Sequence, residues 1–158
     1  MYKARVVKEL NAVACEPPEE CTVIKLQENT ITISVQSETI KATLQVTLPE
    51  RYPIIPPLAT FLPPVPFHPN IDRNGNICLD LLKPTGWRPT ATLAHVLVSI
   101  RILLEYPNVD DPLNIEAADL YVRDRQAYYT RNVSSIATTV PRRQFTLSSS
   151  SLDGVNKV

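Results

Sequence analysis

The chain has 158 residues, a length typical of one domain, and 44% of them are hydrophobic against 20% charged, which is enough apolar material for a packed core. Sixteen basic and sixteen acidic residues give a formal net charge of zero, which argues against nucleic-acid binding because such proteins carry a basic excess. We predict no membrane span, since no run of about 18 apolar residues occurs, and the three cysteines, with no apolar leader before them, indicate reduced thiols in the cytoplasm or nucleus.

The first half of the chain is predicted to contain one helix followed by strands. Residues 2–14 carry apolar side chains at helical spacing, and the Pro-Pro pair that follows them ends a helix. Residues 21–27 are predicted to form a first strand. Residues 30–36 and 39–48 alternate polar and apolar side chains, which is the period of a strand buried on one face. Residues 58–62 are predicted to form a fourth, shorter strand. The short links predict an antiparallel meander with one face that needs cover.

A proline-rich loop joins the strands to the second half of the chain. Seven of the fifteen prolines lie between Pro53 and Pro69, where they exclude a helix or a central strand. Apolar spacing of three and four residues then predicts helices at residues 93–106, 115–123 and 125–138. We therefore expect an α+β domain at residues 1–140, followed by a Ser-rich, largely disordered tail at 141–158.

The segment PFHPNIDRNGNICLD, residues 66–80, carries the candidate chemistry. Its prolines and its Asn-Gly-Asn turn signal place Cys78 on a rigid loop, where a thiol can be exposed and reactive. A zinc site is disfavoured, because no CxxC pair occurs and Cys78 with His68 supplies only two ligands. A papain-like hydrolase is disfavoured too, because the neighbouring Asp80 is negative and opposes a thiolate. Two interpretations remain: a thiol that accepts a group by exchange, and a buried structural cysteine.

A longer pattern resembles the ubiquitin-conjugating (E2) enzyme family. His68-Pro69-Asn70, with Cys78 eight residues after Asn70, is similar to the signature of that family. The resemblance covers residues 3–138 in order and includes KEL at 8–10, PERYP at 49–53, WRP at 87–89 and PNVDDPL at 107–113. Several of these motifs resemble the branch that acts in Fanconi anaemia DNA repair. The resemblance implies the UBC fold, with an N-terminal helix, a four-stranded meander, a proline-rich active-site loop and three helices.

The resemblance also implies a function for individual residues. An activating enzyme, E1, would pass ubiquitin to Cys78 as a thioester, and a substrate lysine held by an E3 ligase would then take it, with no metal or other cofactor. Asn70 matches a residue that stabilises the oxyanion, and its alternative role is to brace the loop. Asp111 matches a gate residue that orients the lysine, and its alternative role is a carboxylate at a helix start. Asp80 is a candidate supporting residue, and His68 is expected to bond within the loop.

A surface for E1 and for a RING-type E3 ligase is implied on the first helix and two loops. Its residues are Arg5, Lys8, Tyr52, Pro53, Ile54, Arg88 and Pro89. Two features depart from the family pattern: the link between the second and third strands is short, and Ile54 stands where E2s that use RING ligases often carry Phe. Two alternatives therefore stay open, namely a non-catalytic E2-like binding module of the ubiquitin pathway and an E2 for another ubiquitin-like modifier.

Overall fold

The computed structural model describes residues 2–137, with one helix before a sheet and three helices after it. Helix α1 spans Tyr2–Cys15, and strands β1 to β4 span Cys21–Leu26, Thr30–Gln36, Lys41–Thr47 and Leu58–Leu62. A 3₁₀ turn at Asp80–Leu82 precedes α2 at Leu93–Glu105, α3 at Ile115–Arg123 and α4 at Arg125–Ala137. The α+β prediction is confirmed. The predicted domain end at residue 140 and the predicted tail at 141–158 lie outside the described residues.

The four strands form one antiparallel sheet in the order β1-β2-β3-β4. On β2, Ile31, Ile33 and Val35 are fully buried and the residues between them are half-buried, which is the alternation that the sequence predicts. The short link between β2 and β3 is a four-residue turn, in which the Ser37 N–H donates to the Ile40 carbonyl oxygen at 2.8 Å. A tight turn therefore accommodates the shortened second hairpin.

Strand β1 contains a bulge that the sequence pattern does not predict. Val23 pairs with Ile33 and Lys25 pairs with the adjacent Thr32, so Ile24 is an extra residue on β1. In a regular strand Lys25 would point to the same face as the half-buried Val23, whereas the bulge leaves Lys25 exposed. The bulge thereby places Leu26, rather than Lys25, opposite the buried Ile31.

One hydrophobic core joins α1, the sheet and α2. Helix α2 contributes a stripe of fully buried side chains: Leu93, Val96, Leu97 and Ile100. Thr92 is the N-cap of α2, because its hydroxyl accepts from the His95 N–H at 3.3 Å while the His95 ring accepts from the Thr92 N–H at 3.4 Å. None of the helices in the described part of the chain is long and apolar enough to span a membrane.

Helices α3 and α4 pack on each other, and α4 packs on the proline-rich loop. The buried ring of Tyr128 lies 6.1 Å from the ring of Phe67, centre to centre. Asn132 donates to the Phe67 carbonyl oxygen at 3.1 Å, and the Arg131 guanidinium lies 3.5 Å from the centre of the Phe67 ring. Helix α4 therefore holds the loop segment that leads directly into the HPN motif.

Candidate active site

A tight turn directly before the candidate cysteine is held against β4. Asp72 accepts hydrogen bonds from the backbone N–H of Asn76 at 2.9 Å and from its side-chain amide at 2.7 Å. Burial opposes ionisation, but these bonds lower the pKa of Asp72. Gly75 has φ of 84°, its carbonyl accepts from the Phe61 N–H at 2.9 Å, and a Cβ there would lie 2.0 Å from the Phe61 carbonyl oxygen. This turn therefore requires glycine.

Cys78 leaves this turn with its backbone fixed and its side chain partly exposed. Its N–H donates to the Asn70 carbonyl oxygen at 2.9 Å. Of the other cysteines, Cys21 is buried in the sheet and Cys15 is exposed at the end of α1. Cys78 thus combines exposure with a loop backbone that is bonded to the HPN motif, and the interpretation as a buried structural cysteine does not fit it.

Asp80 and Lys83 form an ion pair next to this thiol. The Lys83 Nζ lies 2.8 Å from the Asp80 Oδ1, across the 3₁₀ turn. The hydrogen bond to Asp80, together with the proximity of Cys78, raises the pKa of Lys83. The negative charge of Asp80 is therefore offset by a cation. Gly86 packs close to the same turn, because a Cβ there would lie 2.2 Å from the Asp80 carbonyl oxygen.

The side chain of Asn70 is buried and clamps a second loop. Its Nδ2 donates to the Asn108 carbonyl oxygen at 2.7 Å, and its Oδ1 accepts from the Asn108 N–H at 2.8 Å. Both ends of the amide are thus engaged with one backbone unit, an arrangement that braces the loop. Since the Asn70 carbonyl also accepts from Cys78, one residue connects the thiol to the loop after α2.

His68 is fully buried and bonds within the same framework. One ring nitrogen, Nδ1, accepts from the Asn70 N–H at 3.0 Å, so the other, Nε2, donates to the Leu103 carbonyl oxygen at 2.9 Å. Burial lowers the pKa of His68 to about 4, against the opposing effect of the Leu103 carbonyl. A neutral ring with both nitrogens engaged is suited to support rather than to proton transfer.

The buried His68 predicts a specific dependence of stability on pH. The unfolded chain binds the histidine proton below about pH 6.5, whereas the folded chain binds it only below about pH 4. We therefore expect the free energy of unfolding to fall as the pH is lowered from 6.5 to 4, with a contribution from His68 of about 3 kcal/mol. Urea unfolding at several pH values would measure this.

The matched control for that measurement is the other histidine, His95, which is exposed. His68→Gln is expected to lose the acid-dependent contribution, and His95→Gln to keep it. An unchanged pH slope in His68→Gln would contradict the assignment.

Asp111 lies on the loop between α2 and α3, and this loop is anchored at both ends. Asn108 is held by Asn70, and the Asn114 N–H donates to the Pro69 carbonyl oxygen at 3.0 Å. Asp111 itself is exposed. It does not cap α3, because the N-cap is Asn114, whose side chain accepts from the Ala117 N–H. The alternative role of Asp111, as a carboxylate at the start of a helix, is therefore not supported, because Asn114 takes that position.

Comparison with known proteins places this site in a family. Residues 5–136 match the ubiquitin-conjugating enzyme family. The chain belongs to that family. It is 40% identical over 136 residues to a Mus musculus protein named ubiquitin-conjugating enzyme E2 T. This alignment covers 79% of this chain and 66% of the mouse protein. The Homo sapiens protein of the same name is 38% identical, and the alignment covers 79% of this chain and 68% of the human protein. A Danio rerio protein of that name is 46% identical over 89 residues, and the alignment covers 54% of this chain and 45% of the Danio rerio protein.

The predicted family and the predicted UBC arrangement are therefore confirmed. The chain spans between about half and two thirds of the length of these E2 relatives.

The surface residues predicted for E2 partners differ in exposure. Lys8, Arg88 and Pro89 are exposed, and Ile54 is 67% exposed. Others are involved in internal contacts: Tyr52 is buried, Pro53 is half-buried, and half-buried Arg5 pairs with a carboxylate of α1. Trp87 is buried, and its Nε1 donates to the Pro53 carbonyl oxygen at 2.7 Å. Some of the predicted surface residues are thus exposed, and the others are involved in contacts within the protein.

The sequence pattern does not reveal all the contacts of three residues, two of them at the site and one, Glu9, on α1. Asn108 contributes its backbone, which no side-chain pattern identifies. Lys83 follows Asp80 by three residues, a spacing that is common to surface ion pairs. Glu9 follows Arg5 by four residues on α1, and this spacing does predict an ion pair, but the further partners of Glu9 come from distant segments.

Proposed function

We propose that this chain is an E2 enzyme that accepts ubiquitin from E1 as a thioester on Cys78 and transfers it to a substrate lysine with an E3 ligase. The observation that carries the proposal is the connection of the partly exposed Cys78, through Asn70, to the loop of Asp111. One framework holds the proposed nucleophile and the proposed lysine gate. Membership of the ubiquitin-conjugating enzyme family supports the same conclusion.

The proposed charging step exchanges one thioester for another. The Cys78 thiolate attacks the carbonyl carbon at the C-terminus of ubiquitin, a new carbon–sulfur bond forms, and the E1 thiolate leaves. Because the bond made and the bond broken are alike, the step is nearly neutral in free energy and does not require a strongly activated thiolate.

The proposed transfer step makes an isopeptide bond. The lysine amine attacks the same carbonyl carbon, the bond to sulfur breaks, and Cys78 leaves as a thiolate. An amine with a pKa of about 10.4 needs about 4.6 kcal/mol to be neutral at pH 7, so an adjacent carboxylate that takes up its proton favours attack. We assign this role to Asp111, which is exposed on a loop anchored by Asn70 and Pro69.

The partners follow from the family in general terms: ubiquitin, an E1 and an E3. We further propose an E3 of the RING type, which would meet the exposed Ile54 through an aliphatic rather than an aromatic contact. The proposal includes the branch that acts in Fanconi anaemia DNA repair and a location in the cytoplasm or nucleus.

A charging assay tests the proposed function directly. The protein is incubated with ubiquitin E1, ATP and ubiquitin and analysed on a non-reducing gel, where an adduct that dithiothreitol removes is expected. An adduct formed only with another modifier and its own E1 would favour an E2 for that modifier. Failure to charge with any modifier, combined with ubiquitin binding that Cys78→Ala leaves unchanged, would favour the non-catalytic binding module.

Replacement of Asp111 is expected to separate the two steps. In Asp111→Ala the thiol and its framework are intact, so charging stays within about twofold of wild type, whereas discharge onto free lysine slows by roughly 100-fold, the lower range for a lost proton acceptor. Single-turnover discharge of the purified thioester measures this. Asp119→Ala, on the exposed side of α3, is the matched control and is expected to discharge normally. Normal discharge of Asp111→Ala would remove the gate assignment and leave the role of Cys78 intact.

A further inference from the structure

The carboxylate of Glu9 lies where α1, the loop after β3 and the start of α2 meet. Its Oε1 accepts from the Arg5 Nε at 2.6 Å. Its Oε2 accepts from the Tyr52 hydroxyl and from the Leu93 N–H, each at 2.6 Å. The Glu9 side chain is only 11% exposed, so water has little access to replace these charge-assisted bonds.

The groups around Glu9 also bond to each other and to the loop before α2. Arg5 donates from Nη2 to the Ala91 carbonyl oxygen at 2.8 Å, and its guanidinium lies 5.5 Å from the centre of the Tyr52 ring. Trp87 donates to the Pro53 carbonyl oxygen at 2.7 Å, and its ring lies 5.8 Å from that of Tyr52. We call Arg5, Glu9, Tyr52 and Trp87 the junction cluster.

Helix α1, the loop after β3 and the loop before α2 carry the exposed residues proposed to meet E1 and E3. These residues are Lys8 on α1, Ile54 on the first loop, and Arg88 and Pro89 on the second. Neither loop has the continuous hydrogen bonding of a helix or strand at these positions. The spacing between the exposed residues therefore depends on contacts such as those of the junction cluster. In this cluster Glu9 bonds to Tyr52 on the first loop and to Leu93 at the start of α2, and its partner Arg5 bonds to Ala91 on the second loop.

We propose that Glu9 is a positioning residue that holds α1 and the two loops in one fixed arrangement as a docking surface for E1. This inference rests on the proposed function, because it requires that E1 uses the surface. Its physical basis is preorganisation: a surface that is already ordered does not lose further conformational freedom when a partner binds. Loss of the arrangement is expected to weaken binding rather than to slow the chemical step.

Glu9→Gln is the variant that tests this role. It keeps the size of the side chain and one oxygen, but removes the charge. If that oxygen stays with Tyr52 and Leu93, the new amide NH₂ faces the Arg5 guanidinium, and two donors oppose each other. In E1-dependent charging we expect the KM for this protein to rise roughly tenfold, because the loosened segments must then be ordered on binding, while kcat stays within about twofold.

Two controls distinguish positioning from general damage. Glu19→Gln makes the same change of charge at an exposed residue and is expected to charge like wild type. Discharge of preformed thioester onto free lysine without an E3 is expected to be unchanged in Glu9→Gln, because Glu9 makes none of the contacts described for Cys78 and Asn70.

A second variant and a spectroscopic signature keep the test independent of one substitution. Tyr52→Phe removes the hydroxyl donor and keeps the ring, so KM is expected to rise in the same direction by a smaller factor. In nuclear magnetic resonance spectra, the Leu93 amide proton is expected to shift in both variants, since it shares Oε2 of Glu9 with Tyr52. The Asn108 amide proton, which donates to Asn70, is expected to stay in place.

The possible outcomes are distinguishable. A wild-type KM in both Glu9→Gln and Tyr52→Phe would overturn the inference while leaving the proposed function intact. Equal losses in kcat and in free-lysine discharge would also overturn it, because they would indicate general structural damage. If the wild-type protein never charges, the proposed function fails, and the docking role of Glu9 fails with it even where the Leu93 shift confirms the contacts.

Discussion

Serine in place of Cys78 is expected to hold ubiquitin through an oxygen ester that survives dithiothreitol, whereas alanine is expected to hold none. A serine hydroxyl can receive the same acyl group, but a thiol reductant exchanges with a thioester far more readily than with an oxygen ester. Non-reducing and reducing gels of the same charging reaction separate the three cases. Wild type loses its adduct on reduction, Cys78→Ser keeps it, and Cys78→Ala forms no adduct under either condition.

Cys15→Ala is the matched control for this prediction, because Cys15 is an exposed thiol outside the site. It is expected to charge at the wild-type rate and to give a reducible adduct. A reducible adduct in Cys78→Ala that disappears in Cys15→Ala would place the thioester on α1 and refute the proposed site.

Removal of the Asn70 amide is expected to affect both stability and transfer. Asn70→Ala leaves the N–H and carbonyl of Asn108 without their buried partner, which should lower the free energy of unfolding by about 1–3 kcal/mol. We expect discharge onto free lysine to slow roughly 100-fold, the range for loss of one amide donor at such a site. Urea unfolding and single-turnover discharge measure the two effects separately.

Asn108→Ala distinguishes the two ways in which Asn70 can act. This variant keeps the backbone that Asn70 clamps, but it removes the bond between the Asn108 Oδ1 and the Asp110 N–H at 3.0 Å. If Asn70 acts by bracing the loop, loosening that loop from its other side should also slow discharge, with charging retained. Normal discharge of Asn108→Ala beside a slow Asn70→Ala would favour direct stabilisation of the oxyanion.

The regular elements were largely predictable, because their signals are local. The alternation over residues 30–36 and the apolar spacing after Thr92 each reflect one face of one element, and the structure has β2 at Thr30–Gln36 and α2 from Leu93. The bulge at Ile24 was not predictable in this way. It depends on which residues of β2 stand opposite, and that information is absent from the segment itself.

The features of the candidate site also fall into those that the sequence indicates and those that depend on tertiary contacts. The pattern of His68, Asn70 and Cys78 indicates the family and the candidate nucleophile. It does not indicate that both polar atoms of the Asn70 side-chain amide bond to the backbone of Asn108. Nor does it indicate that Tyr52, a candidate contact for a partner, is buried and donates to Glu9. These are long-range contacts, which no local spacing encodes.

Side-chain chemistry and period along the chain by themselves determined the order of helices and strands and pointed to the candidate thiol, and the sequence motifs carried the resemblance to the family. Only the tertiary structure decided which polar groups meet: Glu9 with Tyr52 and Leu93, and Asn70 with Asn108. The physical reason is that a helix or strand follows from the preferences of neighbouring residues, whereas a hydrogen-bond partner 38 or 84 residues away is selected only when the core brings the two segments together.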